Sequence, residues 1–266
     1  MNTDSAVWQK LAIVNKAPAE DTGMTLRLCL ICCVFAAVCN KAIAASACPK
    51  VLTMAYNSNW QPYIEITDEH IRGLDVDRLQ QLLARHAITL KFAYIPEKRA
   101  LQQLQQGGVD VLFGASYTEE RAAYAHFSKP YRQEHNAIVV HQSIVAKYPG
   151  VTVKSAFMDL AQRKLIGTYN PAGFYGEEFD VLKNNSAVKA RSVFVFEGGR
   201  RLELVASLRA DYTIADRQAM EYELAQRSKD KGLMLLPFSL NAAPIHFMFS
   251  KATVSAACVE ELNQSL

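Results

Sequence analysis

The chain lacks a long hydrophobic run. Its longest uninterrupted apolar stretch, residues 28–39, is twelve residues, against the about 20 that a helix needs to cross a bilayer. It also lacks strong charge of either sign: 29 Lys and Arg against 26 Asp and Glu leave a formal +3. No basic cluster exceeds two residues, so the footprint of a nucleic-acid binder is missing. Glycine and proline are few and scattered, with no low-complexity tract and no internal repeat, which sets aside solenoids and linker-rich chains. The six histidines, at 70, 86, 126, 135, 141 and 246, include no pair at metal-ligand spacing. There is no Gly-x-Ser-x-Gly elbow, phosphate loop, dinucleotide fingerprint or His-Glu-x-x-His. No cofactor and no metal are expected.

What is present begins with an export leader. Arg27 precedes the apolar run, and small residues follow it in Ala42-Ile-Ala44 and Ala45-Ser-Ala47. Charged start, apolar middle and small-x-small exit make a secretory signal peptide. Met24 would initiate it, which makes 1–23 an upstream extension and 1–47 the part outside the fold. A membrane anchor is the competing reading, disfavoured by the length of the run. Cys29, Cys32, Cys33 and Cys39 fall inside the leader and behave as small hydrophobes. Cleavage after Ala44 or Ala47 leaves Cys48 and Cys258, which in an exported chain read as one disulfide or as two separate thiols.

Beyond the leader the apolar pattern alternates between strand and helix. Residues 51–56, 88–95 and 109–113 read as strands, with helices over 73–86 and 97–104 between them. This β-α-β-α-β order calls for a parallel sheet flanked by helices, whose ligands sit beyond the carboxyl ends of the strands. Trp60, Ser116 and Arg121 lie just after strands, and Arg99 soon after one, so the four should converge on one edge. A further strand at 137–141 leads out of this set. A second α/β set follows, with strands at 164–168, 192–197 and 210–215, and Asp216 opening a helix. Short strands at 233–237 and 245–249 then carry the chain back to a final helix over 254–262. The fold expected is α/β, with two Rossmann-like lobes, 48–140 with 245–266 and 141–244. Crossings near 138–145 and 237–248 would form the hinge.

The most informative stretch runs from Gly114 to Tyr131. A small-residue turn leads to Thr118 as helix N-cap, with Glu119 and Glu120 in the first turn, where capping and the helix dipole favour them. Arg121 then stands at the mouth of a strand-to-helix loop, where backbone N–H groups and a guanidinium fork suit a carboxylate. A solvated helix residue is the plainer reading of an isolated arginine.

The stretch resembles the signature of the bacterial family 3 extracellular solute-binding proteins, the polar amino-acid receptors of ABC importers. Ser116, Thr118, Arg121, Phe127, Ser128, Pro130 and Tyr131 fall at that signature's offsets. The resemblance covers nearly all of 50–266 and implies a type II periplasmic binding fold that closes on a small polar solute. It implies that Arg121 holds the ligand carboxylate with N–H groups near Ser116, that Asp216 receives an ammonium, and that Trp60 stacks on the ligand. Arg99, Thr118 and Gly173 complete the ligand set. Two plainer readings stand beside these: Asp216 as an N-cap and Trp60 as a plug on the core. The resemblance further implies a monomer in the periplasm that serves an ABC permease and performs no catalysis. The rival readings are a periplasmic lyase on the same fold, with Glu119 or Glu120 as its acid, and a sensory module. Against the family pattern, the turn at 114–117 is one residue short and Pro171-Ala-Gly173 replaces the usual Gly-Thr. The chain also ends before the family's final helix and tail.

Overall fold

The computed structural model describes residues 48–226 and 232–266; the leader read over 1–47 lies outside the described residues. The strands are β1 (Val51–Tyr56), β2 (Glu65–Ile66), β3 (Ile71–Arg72), β4 (Thr89–Tyr94), β5 (Val111–Ser116) and β6 (Ala125–Phe127). They continue with β7 (Arg132–His141), β8 (Gly167–Tyr169), β9 (Val193–Phe194), β10 (Tyr212–Asp216) and β11 (Leu233–Ser250). All but β2 and β3 join one nine-stranded sheet in the order β4-β1-β5-β11-β7-β10-β8-β9, with β6 added alongside β11.

Pairing directions divide that sheet into two halves. Strands β4, β1 and β5 are parallel to one another, and so are β10, β8 and β9. Between them β11 runs antiparallel to β5 and to β7, and β7 antiparallel to β10. Each half packs helices onto an apolar core. One core gathers Leu52, Met54, Leu79, Leu83, Phe247 and Phe249; the other gathers Ile138, Phe157, Tyr169, Phe179 and Tyr212. The architecture is α/β with two Rossmann-like lobes joined by two strands, a type II periplasmic binding fold. We propose the lobe limits 48–140 with 245–266 and 141–244, which fall inside the shared strands β7 and β11.

Those shared strands differ from the sequence expectation. Residues 233–250 form one continuous strand rather than two short ones. Pro237 does not break it, because the β7–β11 ladder is irregular between Leu235 and Ser239 and again before Asn241. Proline is tolerated at such irregularities, where no ladder N–H is needed. On the other crossing, Gln142–Lys147 is already helical, so β7 alone carries the chain across.

Tertiary pairing also moves β5. The sequence expects its end at 113 and a turn over 114–117, but the strand runs to Ser116 because Ala115 and Ser116 pair with His246 and Ile245. Gly114 sits within it at φ +67, and a Cβ there would come within 2.7 Å of the Trp60 ring. Only glycine meets both demands. The helix that follows, Glu119–Ala122, is a single turn.

Cys48 and Cys258 form a disulfide that ties the chain ahead of β1 to the helix Ala256–Asn263. No helix among the described residues is long and apolar enough to cross a membrane.

Candidate ligand-binding site

A cavity of about 240 Å³ is lined by residues of both sheet halves. Five of the residues singled out in the sequence meet there: Trp60, Ser116, Arg121, Gly173 and Asp216. They do so because each follows, or ends, a strand of one of the parallel sets, whose carboxyl ends face this gap.

Arg99 and Thr118 do not line the cavity. Arg99 is exposed on the helix Glu97–Gln106. That helix turns Glu97, Ala100 and Leu101 to the cavity, and at 3.6 residues per turn this leaves position 99 on the solvent side. The Thr118 hydroxyl instead accepts the Arg121 backbone N–H at 3.2 Å, capping the single helical turn.

Arg121 bridges the two halves. Its Nη1 donates to the Ser116 carbonyl at 3.0 Å, and its Nη2 donates to the Ala172 carbonyl at 2.8 Å. Burial pulls its pKa below the usual arginine value, yet a guanidinium stays charged at any pH a folded protein meets. The Ala172 carbonyl is presented by a loop that Asn170 folds. Its Oδ1 accepts the Ala172 N–H at 2.9 Å, and its Nδ2 donates across the gap to the Glu97 carboxylate. Burial, which outweighs that hydrogen bond, pushes the Glu97 carboxyl up from its ordinary pKa.

Asp216 is buried and already engaged. Its Oδ1 accepts the Tyr63 hydroxyl at 2.6 Å and the Ala219 N–H at 3.1 Å, so it caps the following helix. Its Oδ2 stands 3.6 Å from Nη1 of Arg132. Arg132 donates through Nε and Nη2 to Asp75, at 3.1 and 3.3 Å, and its Cζ sits over the Tyr63 ring, 3.8 Å from the centroid. Burial works against its charge, but Asp75 and the neighbouring phenols outweigh that and hold the guanidinium charged. Tyr131, from the sequence motif, donates to Asp75 at 2.7 Å and accepts the Gly114 N–H at 3.0 Å. Its part is to brace this network behind the cavity.

Trp60 packs on the core and also borders the cavity, with the ring centroids of Tyr63 and Phe113 4.8 and 6.2 Å away.

Sequence reasoning missed Tyr63, Glu97, Arg132, Glu134 and Arg201. The stretch 132–136 is polar, and the sequence reading starts the strand only at 137. As part of β7 it alternates instead, with Glu134 and Asn136 buried while Gln133 and His135 face solvent. Glu134 lines the cavity, and burial together with the nearby Asp216 charge pushes its carboxyl up to about 7. Arg201 also lines the cavity and donates to the Val195 carbonyl at 2.9 Å and to that of Phe196. No group of His, Cys, Asp and Glu among the described residues could hold a metal ion.

Residues 52–235 match the family described as bacterial extracellular solute-binding proteins, family 3. The chain belongs to that family. Among solved structures, an ancestral arginine-binding protein bound to arginine superposes with a TM-score of 0.67 at 18% identity. That match covers 82% of this chain and 91% of the other. The amino-acid ABC transporter substrate-binding protein AbpA from Streptococcus pneumoniae, bound to L-arginine, gives 0.64 at 20%, covering 81% and 87%. A histidine kinase sensor domain similar to periplasmic binding proteins gives 0.66 at 17%, covering 81% and 88%. At these identities the likeness establishes the fold alone. No curated protein sequence matches the chain.

Proposed function

We propose that the protein is an exported receptor that captures an α-amino acid between its lobes and hands it, as a monomer in the periplasm, to an ABC permease. One observation carries this reading: the Arg121 guanidinium and the Asp216 carboxylate line the same small cavity. Opposite charges in one cleft suit a zwitterion, with its carboxylate on Arg121 and its ammonium toward Asp216. Ser116, Gly173 and the Trp60 ring complete the ligand's surroundings in this proposal. Two of the family neighbours described above are, by name, bound to arginine, which supports an amino acid as the ligand class.

Closure follows from what crosses the gap. Arg121 to Ala172, Asn170 to Glu97 and Tyr63 to Asp216 each join one half to the other. A ligand that touches both halves favours the arrangement in which these contacts exist. The test is a thermal-shift screen of the amino acids, with mass spectrometry of whatever co-purifies. A ligand that binds only the folded protein raises its melting temperature. No shift with any amino acid, and none co-purifying, would overturn the receptor reading.

Glu134 favours a second reading, a lyase on the same scaffold. A buried carboxyl pushed up to about 7 beside a carboxylate clamp has the proton affinity of a general acid. Glu119 and Glu120, the acids first considered for that role, are exposed and absent from the cavity lining. Proton NMR of the protein with its bound solute separates the two, since a lyase produces new resonances and a receptor returns the solute unchanged.

A further inference from the structure

Glu134 is nine-tenths buried and lines the cavity, and its carboxyl has no hydrogen-bond or ion-pair partner among the described residues. Four charged groups on three other elements and its own strand act on it. Asp216 stands on β10, Asp75 on the helix Leu74–Ala84, Arg132 on its own strand and Arg121 on the single-turn helix. Tyr175, ahead of the helix Glu177–Asn184, also feels its charge. Arg132 is committed to Asp75 through Nε and Nη2. Arg121 places two of its five N–H donors on the Ser116 and Ala172 carbonyls and makes no ion pair with Glu134. Arg132 thus answers Asp75 at 3.1 Å and Asp216 at 3.6 Å, and Glu134 is left without an ion pair among the described residues.

We propose that Glu134 is a ligand-binding residue: jointly with Asp216 it takes the ammonium of an α-amino acid whose carboxylate lies at Arg121, releasing its own proton to solvent. This rests on the receptor reading and adds to it a residue and a proton. Asp216 alone is a poor receptor for a full positive charge, because Tyr63, the Ala219 N–H and Arg132 already answer its own. An ammonium has three donors to place, and the free carboxylate of Glu134 is the acceptor still to be used. Near neutral pH that carboxyl is close to half protonated. A cation alongside favours the ionised form, so binding expels the proton and affinity rises with pH.

The experiment is titration calorimetry with L-arginine and L-glutamine as first probes, followed by the remaining amino acids, at pH 5.5, 6.5 and 7.5. For a probe that binds, affinity should weaken about tenfold from pH 6.5 to 5.5, as expected for one proton. Titrations of the unmutated protein in phosphate and in imidazole at pH 6.5 should differ in heat by the transfer of most of one proton to the buffer. Glu134→Gln should bind more weakly at pH 7.5 and lose the pH dependence. The comparison with this variant cancels the probe's own titration. Binding that is flat with pH, equal heats in the two buffers, or a Glu134→Gln variant that keeps the slope would each overturn the assignment while leaving the receptor intact. Binding of no amino acid at any pH would overturn the receptor reading and this one with it. The buffer comparison needs no variant, so it decides even if Glu134→Gln fails to fold.

Discussion

Glu134 should cost the protein stability at neutral pH, and removing its charge should return that stability. Its carboxyl moves from 4.5 in the unfolded chain to about 7 in the fold, chiefly through burial and then through Asp216. A group whose folded pKa is raised binds its proton more tightly in the native state. Below pH 4.5 both states are protonated and nothing is lost. As pH rises from 4.5 toward 7 the unfolded chain ionises freely while the native one resists, and stability falls. Above 7 the full difference is in place: about two and a half units at 1.36 kcal/mol each, or about 3 kcal/mol. Glu134→Gln keeps the shape and cannot ionise. Urea unfolding followed by far-UV circular dichroism, without added amino acid, measures both proteins at pH 4.5 and 8. The variant should gain about 3 kcal/mol relative to wild type between those two values, at unchanged m. A difference between the proteins that stays the same at both pH values would refute the reasoning, since Gln for Glu would then be acting through shape alone.

Three other changes probe the frame of the site. Tyr63→Phe removes the 2.6 Å hydroxyl bond to buried Asp216, and leaving that carboxylate under-satisfied should cost about 1–3 kcal/mol; an unchanged urea midpoint would contradict it. Gly114→Ala puts a methyl 2.7 Å from the Trp60 ring on a backbone at φ +67. It should destabilise by more than about 1 kcal/mol and shift the emission of Trp60, the only tryptophan beyond residue 47. Identical spectra and melting would argue against the close approach. Reducing the Cys48–Cys258 disulfide releases a link across 210 positions of chain, at an expected loss of about 2–5 kcal/mol. Equal denaturation midpoints with and without reductant would show the link to be idle.

The fold was legible because its signals are local and repeated. Apolar strands such as Val51–Tyr56 and Tyr212–Asp216, each with a helix after it, spell a parallel α/β set twice. What was lost lies where tertiary pairing overrides local preference. Gly114-Ala-Ser reads as a turn, yet β11 draws it into a strand. Arg132 to Asn136 is polar enough for a loop, yet β7 buries every second residue of it. The same override hid Glu134, since an acid in a polar stretch gives no sign that its strand will turn it inward. Ser116 and Arg121 were singled out by their place after a strand and by the resemblance to the family signature, and both line the cavity. Arg99 was put forward on its distance from a strand end, and helix phase sends it outward. The partners of Asp216 could not be read at all. Tyr63 lies 153 positions away in the chain, and nothing in a linear pattern couples the two.

The central claim is that Arg121 and Asp216 face a common ligand across a gap that closes. Its most direct test is calorimetry on wild type, Arg121→Ala and the control Lys147→Ala, titrated with the amino acid that gives the largest thermal shift. Truncating one partner of a buried charged pair costs about 2–5 kcal/mol, so Arg121→Ala should bind at least tenfold more weakly while Lys147→Ala binds like wild type. Equal affinities for Arg121→Ala and wild type would contradict the account.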